Sequence, residues 1–226
     1  MKISGFNKLT LLDYPKKMAA IIFTAGCNYK CGYCQNSSLI KGAEENFSES
    51  EILNYLDGRK KLLDGVVISG GEPTIQKDLV SFIKKIKEIG LLVKLDTNGT
   101  NPRVIKELMD HHLIDYIAMD VKMSFDKYEI VTGVKANNNI LESIDIIKNS
   151  KIEHEFRTTI IKNYHKFDDI YKIANFIGKD ENYYLQNFEM SEGVLDKSLM
   201  GFSKDELKEF QNKLKVEFPN LRVRGI

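Results

Sequence analysis

Every cysteine of this chain lies within one eight-residue stretch, Cys27-Asn28-Tyr29-Lys30-Cys31-Gly32-Tyr33-Cys34. One loop therefore supplies all the thiols and brings them to one place. A structural disulfide uses two cysteines, and a closed structural zinc site uses four ligands. Three thiolates around a cubane of four irons leave one iron without a protein ligand, open to a substrate or cofactor. Two other readings stand beside this one: a trio of reduced thiols, and a zinc site completed by a histidine from elsewhere. His111, His112, His154 and His165 fit no ligand spacing and receive no role.

The rest of the chain alternates strand and helix. Residues 18–23 are continuously apolar, the pattern of a strand buried on both faces, and the cysteine loop follows directly. Ser48-Glu49-Ser50-Glu51 predicts a capping box opening a helix to about residue 57, with Ile52, Leu53 and Leu56 on one face. Residues 65–69 predict a second strand, followed by Gly70-Gly71-Glu72-Pro73. A helix with Ile75, Leu79, Phe82, Ile83, Ile86 and Ile89 on one face comes next, closed by Gly90. Residues 91–95 predict a third strand ending in Asp96-Thr97-Asn98-Gly99. Asn101-Pro102 then opens a helix with Val104, Ile105 and Leu108 inward. A fourth strand over residues 115–121 carries Asp120 and Lys122 at its end, and Ile140, Ile144 and Ile147 mark another helix. A fifth strand over residues 152–161 presents Arg157 and Thr159 on one side; Ile170, Ile173, Ala174 and Ile177 form the next helix. Residues 183–188 predict a sixth strand, Ser203 caps a final helix, and residues 221–223 add a short last strand.

Six strand–helix units with no repeat block, composition break or low-complexity linker predict parallel strands joined by right-handed crossovers. Six are too few for an eightfold barrel. The expected architecture is α/β: a partial, TIM-like (β/α)6 barrel or curled open sheet. It occupies one domain over residues 1–226, with its core at about 18–188 and a C-terminal helix and strand within 203–226. With 33 basic and 32 acidic residues, no polyanion-binding surface is expected, which argues against nucleic acid as the partner. No apolar run reaches the ~18 residues that cross a bilayer, and residues 1–6 lack the apolar core of a secretion signal. Clustered thiols without a pairing scheme fit a reducing cytoplasm, the expected location.

The polar, glycine-rich segments recur at the C-terminal ends of successive strands, which in parallel α/β folds share one ligand-binding mouth. Gly70-Gly71 is either a plain turn or a place where backbone approaches a ligand closely. Asp120 and Lys122, two apart on a strand, point to the same side. They are either an exposed ion pair or charges kept at the mouth for a ligand. Asp96-Thr97-Asn98-Gly99 is also compatible with an ordinary Asn-Gly turn. Arg157 reads as a carboxylate clamp facing the mouth, or as an arginine reaching the rim. Gln186 sits near the end of the sixth strand.

The spacing Cys27-x3-Cys31-x2-Cys34, with aromatic Tyr33 before the last cysteine, resembles the cluster loop of the radical S-adenosylmethionine (SAM) enzymes. Gly70-Gly71-Glu72-Pro73 resembles their segment that holds the SAM amino group. Asp120-x-Lys122 resembles the hallmark of their glycyl-radical enzyme activases. Asp96-Thr97-Asn98 is similar to the activase segment that meets the SAM carboxylate and, in some members, a monovalent cation. Leu11-Leu12-Asp13-Tyr14-Pro15 with Phe23-Thr24-Ala25-Gly26-Cys27 looks like the short activating proteins of anaerobic ribonucleoside-triphosphate reductase. Many of those have glycine after the proline, where this chain has Lys16.

The resemblance covers residues 7–188 and implies one [4Fe-4S] cluster on Cys27, Cys31 and Cys34, with no spare thiols for a second. SAM would be steadied by Tyr33, Gly70, Gly71, Glu72, Asp96, Thr97, Asn98, Asp120, Lys122, Arg157 and Gln186. Lys122 counts with the cysteines as catalytic. The implied activity is reductive cleavage of SAM to methionine and a 5′-deoxyadenosyl radical, which takes hydrogen from a glycine on a large partner enzyme. A flavodoxin- or ferredoxin-type protein would supply the electron. The alternatives are an activase of pyruvate formate-lyase or another glycyl-radical enzyme, a radical SAM enzyme acting on a small molecule, and a zinc-binding interaction module.

Overall fold

The computed structural model describes residues 1–40 and 46–224. Strand β2 (Ala19–Thr24) shows how the sequence pattern becomes architecture. Ala20 and Ile22 join the large core beneath the helices, whereas Ala19 and Ile21 join a small inner cluster with Tyr14, Val67, Tyr116 and Ala118. Both faces are covered, so the strand is apolar throughout rather than alternating. β3 (Gly65–Gly70), β4 (Leu92–Thr97), β5 (Tyr116–Asp120), β6 (Glu153–Ile160), β7 (Tyr183–Asn187) and β8 (Leu221–Arg224) follow, each parallel to its predecessor.

One strand was not expected from the sequence. β1 (Ile3–Thr10) runs antiparallel along β2 and completes an eight-stranded sheet whose spatial order is the chain order. Its first two residues are buried, the next two are partly covered and the rest are largely exposed, so no regular alternation marks it. Among the described residues no pairing joins β8 back to β1, and the sheet is open. The prediction of parallel strands in an incomplete barrel is therefore borne out, with an added antiparallel edge.

Helices α1 (Glu49–Arg59), α2 (Leu79–Ile89), α3 (Pro102–Asp110), α5 (Asn138–Lys148), α6 (Phe167–Ile177) and α7 (Lys204–Lys215) lie in the connections, with the short α4 (Tyr128–Thr132) between α3 and α5. Their apolar stripes, among them Ile52, Phe82, Ile83, Ile105, Ile144, Ile170 and Leu207, share one core with Val66, Ile68, Leu95, Phe156 and Leu185. The expected capping box at Ser48 is present, Ser203 caps α7 as expected and there too forms a box, and Gly90 closes α2 at φ 95°.

Two local expectations need correction. Ile75 is not on α2: Pro73–Ile75 forms a separate 3-10 turn capped by Glu72, and Ile75 is 41% exposed. The α2 helix starts only at Leu79, because Pro73 at the first position and the extended Gln76 confine the earlier turn. Asn101 precedes α3 without capping it; its Nδ2 donates instead to the Thr74 carbonyl at 2.9 Å. The five-residue α4 escaped notice because one turn carries no legible period.

The inner cluster closes the sheet's N-terminal end. Tyr14, from the β1–β2 connection, packs its ring 5.9 Å from that of Tyr116. Two residues on, Lys16 holds φ 60°, the left-handed region that favours glycine. With the N-terminal end filled by apolar side chains, the inward positions nearer the C-terminal ends are left for polar ones.

Candidate functional site

The cysteine loop leaves β2 at its C-terminal end and is gripped along its length. Gly26 donates its N–H to the Leu39 carbonyl at 2.7 Å, and its own carbonyl accepts from Glu72 N–H at 2.9 Å. Lys30 N–H reaches Thr132 of α4 at 3.0 Å, and the Gly32 carbonyl accepts from Asp196 N–H at 3.1 Å. Four parts of the chain thus fix one short loop, and Cys27, Cys31 and Cys34 all line a single cavity of about 460 Å³.

The glycine pair has a steric cause of its own. A Cβ at Gly70, where φ is 116°, would stand 2.3 Å from the Thr24 nitrogen, and one at Gly71 would stand 1.9 Å from the Gly26 carbonyl oxygen. Bare backbone is required here for the end of β3 to seat against the cysteine loop. Both glycines also border the cavity.

Glu72 is fully buried, and its carboxylate is occupied by protein donors. Oε1 accepts from the Thr74 N–H (3.1 Å), the Thr74 hydroxyl (2.5 Å) and the Thr97 hydroxyl (2.7 Å); Oε2 accepts from the Asn98 N–H (2.6 Å). Burial pushes its carboxyl pKa upward, against the pull of these donors. Glu72 therefore ties the segment after β3 to the segment after β4. Asn98 continues the tie, donating to Asn28 Oδ1 in the cysteine loop at 2.8 Å and accepting from Thr100.

On the opposite wall the charges interlock. Asp120 accepts from Arg157 Nε at 2.8 Å and from Lys122 Nζ at 2.9 Å. These two cations hold the Asp120 carboxyl far below its usual range although burial opposes them. Burial also works against the Lys122 ammonium and the Arg157 guanidinium, yet Asp120 outweighs it and lifts both. Arg157 Nη1 lies 3.5 Å from Asp96 and 3.9 Å from Glu155. Asp120 and Lys122 share a side as the two-residue spacing requires, and their side chains are 26% and 16% exposed, not a surface pair.

The structure brings every sequence-predicted site residue to one place: Cys27, Tyr33, Gly70, Asp96, Thr97, Asn98, Asp120, Lys122, Arg157 and Gln186 border the same cavity as the others. It adds residues the sequence reading passed over. Lys94, 1% exposed, pairs with Asp96. Glu155 bonds Arg224 at 2.8 Å and the Tyr116 hydroxyl at 3.2 Å. Ser69 donates to Asp96 at 3.2 Å. Lys94 and Glu155 lie two positions before Asp96 and Arg157 and so share their faces, a signal that becomes readable only once the inward face is known.

Three thiols of one loop, all at the cavity, suit an iron–sulfur cluster. Burial pushes all three thiols upward in pKa, Cys31 to about 11, partly offset at Cys27 by the Tyr29 N–H and at Cys31 by Lys122. Thiols so buried ionise together only beside substantial positive charge, which a metal centre supplies.

Comparison with known proteins identifies the family. The model of the radical SAM superfamily matches residues 21–177. A Methanocaldococcus jannaschii protein, provisionally named a glycyl-radical enzyme activating enzyme, is 40% identical over 99% of this chain and 96% of its own length. The pyruvate formate-lyase-activating enzyme of Staphylococcus aureus is 32% identical over 75% of this chain and 72% of its own. Among solved structures, Streptococcus suis SuiB superposes with a TM-score of 0.71 at 15% identity, covering 91% of this chain and 48% of that one. A domain of pyruvate-formate lyase-activating enzyme from Bacteroides vulgatus superposes with a TM-score of 0.57 at 17% identity, over 71% of this chain and 99% of the domain. The chain belongs to the radical SAM superfamily, among relatives named for activating glycyl-radical enzymes.

Proposed function

We propose that this protein activates a glycyl-radical enzyme, with Cys27, Cys31 and Cys34 holding a [4Fe-4S] cluster and SAM bound beside it. The observation that carries the reading is the meeting of three thiols, the Gly70-Gly71 backbone and the Asp120–Lys122–Arg157 charges around one cavity. When bound, the cluster and SAM supply a one-electron cleavage of the sulfonium that ends in hydrogen abstraction from a glycine of the partner.

The chain's own residues do the rest. Gly70 and Gly71 offer backbone groups to the SAM amino end, while Asp96, Thr97 and Asn98 flank its carboxylate. Glu72 acts at one remove, keeping those two segments in register. Lys122 and Arg157 place positive charge on the cavity wall without leaving Asp120 uncompensated, so the site is set before SAM arrives. Gln186 and Thr159 line the far wall, away from the thiols in the chain order of the strands.

For the partner we infer anaerobic ribonucleoside-triphosphate reductase, on the likeness of residues 11–15 and 23–27 to its activating proteins. The Staphylococcus aureus relative favours pyruvate formate-lyase as the second reading. The electron donor is a flavodoxin- or ferredoxin-type protein, and a monovalent cation beside Asp96 belongs to the same proposal. Incubating the reconstituted, reduced protein and SAM with each candidate enzyme tests the assignment. A glycyl-radical electron paramagnetic resonance (EPR) doublet is expected on the reductase. A doublet on pyruvate formate-lyase alone reverses the choice, and none on either with SAM left intact removes the function.

A further inference from the structure

Three carboxylates surround Arg157. Its Nε donates to Asp120 at 2.8 Å, and its Nη1 lies 3.5 Å from Asp96 and 3.9 Å from Glu155. Each of these carboxylates also has a cation of its own: Lys94 for Asp96, Lys122 for Asp120 and Arg224 for Glu155. Among the described residues of this network, four cations thus face three anions, and Arg157, shared by all three, carries the surplus positive charge. Its guanidinium donates one hydrogen bond to those residues, from Nε, so its Nη groups remain available to a ligand in the cavity it borders.

Of the four cations, Arg224 alone comes from β8, beyond residues 21–177 that match the superfamily. It is gripped from two sides. Nη1 and Nη2 lie 3.3 Å and 2.8 Å from the two oxygens of Glu155, and Cζ stands 3.8 Å from the centroid of the Tyr184 ring. A fork on a carboxylate, stacked on an aromatic face, is an arrangement that arginine makes and lysine does not. The Glu155 side chain is 3% exposed, and its other donor is the Tyr116 hydroxyl at 3.2 Å. Without Arg224, the cation left within reach of Glu155 is Arg157, two positions along the same strand and on the same face. A buried carboxylate is costly to leave unpaired, so Glu155 would draw Arg157 toward itself and absorb the surplus charge.

We propose that Arg224 is a positioning residue for SAM: by neutralising Glu155 it keeps the Arg157 charge free for the SAM carboxylate. This rests on the SAM site assigned above and adds to it a residue that acts without touching the ligand. With Arg224 in place, the wall offers an incoming carboxylate one uncompensated positive charge. Without it the wall is neutral, and the carboxylate gives up its water for no net attraction. Replacing Glu155 by an uncharged residue as well restores the surplus of one, now with no carboxylate left to compete for Arg157.

Equilibrium dialysis of SAM against the anaerobically reconstituted full chain, with no reductant, provides the test. Arg224→Met is expected to load iron as the wild type does and to bind SAM about tenfold more weakly, within the range of coupled charged neighbours. Adding Glu155→Gln to it is expected to restore affinity to within about twofold of wild type, a rescue that lost packing of β8 would not show. An unchanged affinity in Arg224→Met overturns the proposal. A double variant as weak as the single one also overturns it, because Arg224 would then act by touching SAM or by packing alone. Should Arg224→Met by itself fail to load, the double variant is read directly against wild type: affinity within about twofold supports the proposal, and a loss of about tenfold overturns it. Wild-type protein that binds no SAM sinks the function itself, whereas equal binding by wild type and Arg224→Met sinks only this inference.

Discussion

Glu72 has four donors on one buried carboxylate, three on Oε1 and one on Oε2. Removing it strands those donors together. With about 1–3 kcal/mol for each unsatisfied buried group and partial relaxation, Glu72→Ala is expected to lose roughly 3 kcal/mol of stability in denaturant unfolding, before any ligand is added. Asp120→Asn leaves Lys122 and Arg157 without their shared anion. That variant is expected to lose about 3 kcal/mol and at least tenfold in SAM cleavage, read as 5′-deoxyadenosine formed. The Asp120–Lys122 pair was legible in the sequence because a strand's period of two puts both on one side. Lys94 was not, since a lysine between Val93 and Leu95 reads as a solvent-facing position until the inward face is known. The role of Glu72 was hidden for a related reason: its partners Thr97 and Asn98 come from another strand end.

At the scale of elements, the strand ends are held by groups outside them. His165, in the turn before α6, places Nε2 3.1 Å from the Lys122 carbonyl and accepts the Ile161 N–H on Nδ1 at 3.1 Å. A carbonyl accepts and an N–H donates, so the ring is neutral, with its proton on Nε2. Burial lowers its pKa below the ordinary 6.5 despite these contacts. The unfolded chain then binds the proton first as pH falls, so this contribution is complete above about 6.5 and is lost below it. Unfolding midpoints are expected to fall between about pH 7 and 5.5, and to fall less in His165→Gln, which keeps an amide donor for Lys122. Equal pH dependence in the two proteins contradicts this role. From sequence His165 matched no ligand spacing, and its structural task depends on a contact 43 residues away. The Gly70-Gly71 pair was seen as a likeness to a ligand-binding segment, while its need to pass against Thr24 and Gly26 emerged only from the packing.

For the molecule as a whole, the alternation of strands and helices was readable because strands covered on both faces leave unbroken apolar runs. The antiparallel β1 was not, because only its first half is covered. The sheet is open, so its N-terminal end depends on Tyr14 as a plug. Tyr14→Ala is expected to cost about 3 kcal/mol, seen as a lowered thermal midpoint without loss of the cysteine loop's ability to take up iron. Among the described residues no helix is long and apolar enough to cross a membrane.

The central claim is that three cysteines grip a cluster and leave one iron for SAM. Mössbauer spectroscopy of the ⁵⁷Fe-reconstituted protein, with and without SAM, addresses it directly. Four irons per chain with one site changing its isomer shift on SAM addition is the expected result. A single bound zinc, or four irons all indifferent to SAM, would contradict the account.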